Sequence, residues 1–299
     1  LIDVTVTVDH NREEKAREML DNILVEMQQE GNTIFAETSF DKKFNISGGI
    51  FDFDGDTKEF SIDYSVKMPR YLALKLENKY GDVFINEITG HADISVKYGK
   101  LKANKILRDN SKPLSHVSLA YSNGDIKEVN WLKLTLKYTP NDCEIGKAKA
   151  LIAVTKYSKL SVKEVSSIVC ESKYDNYRIE DLRNFVCEAK YTDIEIDRLE
   201  KQIELESKYG DIQVDEVPKN FKKINVVNKY GQVDIKIAEG ASYKLEGQAE
   251  YADIDYPEEG SVSRIEKNTE MKVSGRIGND ENSTSEVRID TRYGSVELE

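Results

Sequence analysis

Apolar and polar side chains alternate with a period of two through most of this chain, and the alternation restarts about every nineteen residues at a tyrosine. Two, four and six residues before each marker tyrosine lies a row of apolar or small side chains. Ile168, Cys170 and Ser172 precede Tyr174; Phe185, Cys187 and Ala189 precede Tyr191; Ile203, Leu205 and Ser207 precede Tyr209. Such a row predicts short strands with one buried face. A break follows the tyrosine, often at glycine (Gly81, Gly99, Gly210, Gly231, Gly294), which predicts a tight turn with the glycine at positive φ. A second strand then places inward residues three and five after the tyrosine, such as Val83 and Ile85 or Ile194 and Ile196. A further apolar residue follows eight after it, as at Ile88, Leu182 and Leu199. By parity the tyrosines belong to the inward row, so the pattern predicts buried rings stacked one above another.

The markers are Tyr80, Tyr98, Tyr121, Tyr138, Tyr157, Tyr174, Tyr191, Tyr209, Tyr230, Tyr251 and Tyr293. Steps from Tyr80 to Tyr251 run from 17 to 23 residues, and the last gap, 42, reads as two steps with one marker lost. A period near twenty indicates a solenoid. Each unit is too small to bury its own apolar face, so stability comes from stacking, at roughly 25 cal/mol per Å² of apolar area removed from water. A helical repeat is opposed by the alternation and by the Val, Ile, Tyr and Thr content. A propeller blade needs about 40 residues. The predicted fold is therefore all-β, a parallel β-helix or solenoid of roughly eleven short rungs over residues 71–299, with a loop insertion near 275–285.

Residues 1–70 lie outside the repeat. Ile2, Val4, Val6 and Val8 alternate as a strand. Residues 9–22 read as a helix with Ala16, Met19, Leu20 and Ile23 on one face and Glu13 and Glu14 in the first turn. Residues 25–27 and 33–36 read as a hairpin around Gly31, and residues 60–66 as a strand stopped near Pro69. A small α+β capping module is expected here, because an end rung exposes strand edges.

Composition narrows the function. No stretch approaches the roughly 18 apolar residues of a membrane helix, so no span is expected. The net charge is −12, and no dense Lys/Arg cluster interrupts it along the sequence, so neither nucleic acid nor an anionic membrane is an expected partner. Cys143, Cys170 and Cys187 are widely spaced and sit at inward phases, where buried free thiols are expected. A Cys170–Cys187 disulfide is the alternative if the chain is exported to an oxidising compartment.

Three features together resemble the adhesin family of bacterial cell-envelope proteins, common in the Bacteroides group. They are the N-terminal strand–helix–hairpin, the tyrosine-containing strand ending at Met68-Pro69, and the recurrent Lys-Tyr-Gly-Asp-Val/Ile at 79–83 and 208–212. The resemblance implies a right-handed β-helix and export to the periplasm or outer cell surface, with a leader removed upstream. It carries over no catalytic residues.

Candidate chemistry is sparse. Asp52, Asp54 and Asp56 have the spacing that opens a calcium loop, but Gly55 comes two positions early and Asp63 stands where a bidentate Glu belongs. A solvated turn is expected there, with no metal or cofactor. His10, His91 and His116 share no motif with a nucleophile. Asp193, Glu195 and Asp211 fall at outward phases, and stacked carboxylates on such a face can do acid–base work on polysaccharides. Interleaved Lys159, Arg178 and Arg198 favour a mixed solvated face instead. The lone tryptophan, Trp131, has outward parity and is a candidate sugar platform. The expected function is a non-catalytic cell-envelope binding or structural module that offers a rigid ladder to a protein or glycan. The alternative is a polysaccharide-acting β-helix enzyme using the acidic strip.

Overall fold

The computed structural model describes residues 1–41 and 59–299, so Asp52, Asp54 and Asp56 lie outside the described residues. Strand makes up 70% of the described residues and helix 3%, which fixes the all-β class. The chain divides into two compact units, Leu1–Pro69 and Arg70–Glu299.

In the first unit, β1 (Ile2–Asp9) runs into α1 (Glu13–Asp21), then β2 (Ile23–Glu30), β3 (Thr33–Phe40) and β4 (Glu59–Val66). β1 pairs antiparallel with β4, from Ile2 opposite Val66 to Asp9 opposite Glu59. β2 and β3 form a hairpin closed by Gly31 at φ +58°, longer than the 25–27 and 33–36 pattern suggests. The helix starts later than expected because Asp9 remains in β1. Met19 and Ile23 are buried, whereas Leu20 is exposed.

The second unit is a stack of parallel strands. Its elements are β5 (Leu74–Lys79), β6 (Val83–Ile88), β7 (Ala92–Lys97), β8 (Lys100–Ile106), β9 (Ser115–Ala120) and the continuous β10 (Asn123–Lys173). Then come β11 (Asn176–Lys190), β12 (Asp193–Lys208), β13 (Ile212–Val217), β14 (Lys223–Lys229) and β15 (Val233–Ile237). The chain finishes with β16 (Tyr243–Glu250), β17 (Ile254–Asp255), β18 (Gly260–Lys267), β19 (Glu270–Ile277), β20 (Glu286–Arg292) and β21 (Val296–Leu298). Equivalent positions pair in register: Ile168 with Phe185 and then Ile203, Cys170 with Cys187 and then Leu205. The inward rows assigned from the sequence form one continuous core, with Ile94, Leu134, Ile168, Phe185, Ile196 and Leu199 all essentially inaccessible. Burial of like on like, repeated along the stack, holds this unit together.

Two expectations fail in informative ways. The positive φ lies on the tyrosines, at +52° to +62°, and not on the glycines that follow. One left-handed residue breaks the alternation, so Lys190 and Tyr191 both face outward and Thr192 turns inward. The marker rings are therefore exposed, not buried. Glycine serves a different need after the tyrosine: a Cβ on Gly99 would lie 1.9 Å from the Gly81 carbonyl oxygen, and one on Gly210 would lie 2.0 Å from that of Thr192. The backbones of successive turns nearly touch there.

The 42-residue gap is not a missing marker either. After β16 and β17 the chain makes the hairpin β18–β19, and β19 pairs antiparallel with β16. Residues 275–285 are thus the end of β19 and a loop. β20 then enters between β14 and β16, parallel to both, and β21 likewise enters between β15 and β17. The stacking order is consequently Tyr230, Tyr293, Tyr251.

Candidate functional site, a ladder of tyrosines and lysines

Eight of the marker tyrosines sit at corners held by one recurrent hydrogen bond, and Tyr251, at the end of the stack, donates to Thr269 instead. The Tyr191 amide donates to the Lys208 carbonyl at 2.8 Å, Tyr209 to Lys229 at 2.9 Å, and Tyr230 to Arg292 at 3.0 Å. The bond and the left-handed backbone set each side chain in the same direction. All eleven tyrosines stack in one column, with ring centroids 4.7–5.2 Å apart and planes within 2–21°. The column runs roughly 50 Å, ten steps of the inter-strand spacing.

Stacking decides what the column can offer. An internal ring has both faces against its neighbours and presents its rim. The end rings, Tyr80 and Tyr251, are 56% and 55% exposed, against 37–47% for the internal ones, as expected if each end ring keeps a face open. Sugar stacking on ring faces is thus confined to the ends, while the length of the column is a row of aromatic rims.

The residue before each tyrosine forms a second column. Lys79, Lys97, Lys137, Lys156, Lys173, Lys190, Lys208, Lys229 and Arg292 occupy nine of the eleven positions, with Ala120 and Glu250 at the other two. They stand side by side in register, Lys173 by Lys190, Lys190 by Lys208, Lys208 by Lys229. Six of the ammonium groups lie 4.8–5.4 Å from the centroid of their own tyrosine ring. Arg292 is paired with Glu250. Among the described residues none of the eight lysines has an ion-pair partner. This basic strip corrects the impression, given by the linear sequence, that no local cluster opposes the −12 net charge. Residues nineteen apart along the chain become neighbours along the stack.

The acidic residues singled out from the sequence lie across the corner from the lysines. Asp193 accepts a hydrogen bond from the Asp211 amide at 3.1 Å, and Asp211 accepts one from the Gln232 amide at 2.8 Å. Asp82 accepts from the Lys100 amide in the same way. These carboxylates tie one turn to the next. Glu195 is exposed between Arg178 and Gln213. Trp131 is partly exposed, seven residues before Tyr138 and three steps along the stack from Tyr191, so it does not join the acidic group.

The interior holds two further features. Cys170 and Cys187, paired in register, form a disulfide, which corrects the expectation of free thiols at these two positions; Cys143 is free and buried, with its thiol pushed up to about 12 by burial. Asp175 takes the place that glycine, serine, threonine or alanine has after other tyrosines. Its carboxylate accepts from Thr155 Oγ1, Ser172 Oγ and the amides of Ser158 and Lys173 at 2.6–2.7 Å, and Thr155 Oγ1 also meets the buried Tyr177 hydroxyl at 2.7 Å. Burial pushes the Asp175 carboxyl above the ordinary Asp range, against the pull of those hydrogen bonds. His116 bonds Asp93 and Thr135, with no nucleophile in the set. Among the described residues, no three His, Cys, Asp or Glu side chains converge as a metal site, and no helix is long and apolar enough to cross a membrane.

No curated protein and no solved structure matches the chain. Residues 112–299 match the model of Toastrack DUF4097, a β-solenoid-like family without an assigned activity. That match spans more than half of the chain, beginning within the loop before β9 and ending at the last residue of the stack, so the protein belongs to the Toastrack DUF4097 family.

Proposed function

We propose that this protein is a non-catalytic binding or structural module of the bacterial cell envelope, an adhesin in the broad sense, which docks a protein or glycan along its tyrosine–lysine ladder. One observation carries the reading: the eleven marker tyrosines all take the left-handed conformation and stack as one half-exposed column. A side chain at a left-handed corner costs roughly 1–2 kcal/mol that glycine escapes. Stacking offsets that cost within the fold, yet every ring stays 37–56% exposed, so the column is also a rigid row of phenol rims open to a ligand. The rigid spacing of the column suits an extended ligand, which meets a preorganised row and loses little further entropy on the protein side.

The non-enzyme reading is supported by the amide bonds that occupy Asp193 and Asp211. Export is supported by the Cys170–Cys187 disulfide, since such bonds persist in oxidising compartments. A glycan array and a peptide array probed with the full chain test the docking reading. The triple variant Tyr157→Phe, Tyr174→Phe, Tyr191→Phe keeps the stack and removes three hydroxyls. Its hits are expected to weaken severalfold; unchanged hits, or none with the unaltered chain, refute the ladder as the docking surface.

A further inference from the structure

We propose that the ligand of the ladder is a linear anionic glycan whose acidic groups line up along the lysine column; this rests on the docking reading above. Eight lysines stand in this column without an ion-pair partner among the described residues, in a protein with 55 acidic side chains. Like charges placed side by side on neighbouring strands destabilise a sheet. Their spacing of about 4.8 Å is well inside the screening length of about 8 Å at physiological salt. From Lys156 to Lys229 each ammonium therefore has a cation on both sides, and this run acts as one linear charge; Ala120 separates it from Lys79 and Lys97. Abundant carboxylates could have neutralised it in place, as Glu250 does for Arg292 at one end. Glu171, Glu188 and Glu206 form the next outward column, two residues before Lys173, Lys190 and Lys208, but none closes an ion pair with them, so the ammonium groups stay open to the acidic groups of a ligand.

The geometry selects among polyanions. A nucleic-acid strand gains sequence-tolerant affinity by stacking bases on free aromatic faces, and internal rings here have none free. An extended acidic peptide repeats its side chains on one face every two residues, about 6.6 Å, and slips out of step with rungs about 4.8 Å apart. An extended chain of linked pyranoses advances by close to one rung per ring, and where successive rings are turned over its acidic groups return to one face every second ring, in step with every second rung. Those carboxylates or sulfates meet alternate ammonium groups of the column while the hydroxyls meet the phenol rims. Tyr80 and Tyr251, the most exposed rings of the column, each stack on one neighbour only and mark the two ends of the site.

The test uses the full chain and polygalacturonate, with its methyl ester as the uncharged form of the same backbone. Affinity electrophoresis or calorimetry is run over a range of salt, with poly-L-glutamate and oligodeoxythymidylate as competing arms. The expected result is binding to polygalacturonate that weakens with salt, and at least tenfold weaker binding to the ester. Lys156→Gln, Lys173→Gln and Lys190→Gln together are expected to lower affinity at least tenfold and flatten the salt dependence. The Lys→Arg versions keep it within about threefold, and a fold check by circular dichroism accompanies each. Lys105→Gln, Lys127→Gln and Lys147→Gln remove the same charge from another face and serve as the control. Equal binding to the ester, equal loss in the control, or preference for the peptide or oligonucleotide overturns the anionic-glycan assignment. If neutral glycans or proteins bind in the arrays while polygalacturonate does not, this assignment fails and the docking reading stands; if nothing binds, both fail.

Discussion

Replacing Tyr191 with alanine tests how the column contributes to the fold. The ring stacks on Tyr174 and Tyr209, each at 4.7 Å, and is 46% exposed. A fully buried tyrosine removes about 150–250 Å² from water, so a half-buried ring removes about 100 Å², worth about 2.5 kcal/mol. Two stacking contacts at the low end of their range add about 1 kcal/mol. Allowing for partial collapse of the neighbouring rings, Tyr191→Ala should cost about 3 kcal/mol in a urea melt. Tyr191→Gly loses the same ring but escapes the left-handed strain of roughly 1–2 kcal/mol, while its looser unfolded chain returns roughly 0.5–1 kcal/mol of that. The glycine variant should therefore be the more stable of the two, by about 0.5–1 kcal/mol. Glu195→Ala, an exposed control, should stay within about 0.5 kcal/mol. A silent alanine variant refutes the stacking argument, and a glycine variant less stable than alanine refutes the left-handed corner.

Two more outcomes follow from the interior. Without reductant, the unfolded chain should titrate one thiol with DTNB, Cys143, and the native chain none, because burial raises that thiol to about 12; three reactive thiols on unfolding would show that Cys170 and Cys187 are not bonded. The folded pKa of Asp175 is raised, so its stabilising contribution is greatest below the unfolded Asp range and is lost as pH rises through the folded value. Asp175→Asn should remove that downward slope from the pH dependence of the urea midpoint, whatever its absolute cost; the opposite slope would mean that the four hydrogen bonds outweigh burial.

The strands and their buried rows were legible because each depends on local alternation, which survives translation to the next unit: Cys170, Cys187 and Leu205 share a phase and share a column. The outward tyrosines were not. Parity counting assumes unbroken extended backbone, and one residue at positive φ reverses it. A signal was present in the small or polar residue after the tyrosine, at Ser122, Thr139, Ser158 and Thr192, all buried. Counting the second strand's inward row back from Ile194 lands on Thr192, one residue off the tyrosine. The lysine column was hidden for another reason, since charge density along the chain is blind to stacking. Insertion of β20 between β14 and β16 left only the 42-residue gap as its trace, and a gap does not specify where the strand goes.

That insertion has a consequence for how the stack is made and unmade. In a solenoid laid down strictly in order, each unit can dock as soon as it leaves the ribosome. Here the slot between β14 and β16 stays open until residues 286–298 have been synthesised. The β16–β17 unit and the hairpin that covers it therefore have no final seat until a later segment arrives. Assembly of this end is a closing step rather than an elongation step, carrying the loop-closure cost of bringing β20 back across the β18–β19 excursion. The same wedge works in reverse. Once seated, β20 is hydrogen-bonded along both edges, so peeling from this end must break two ladders at once where an ordinary terminal strand would break one.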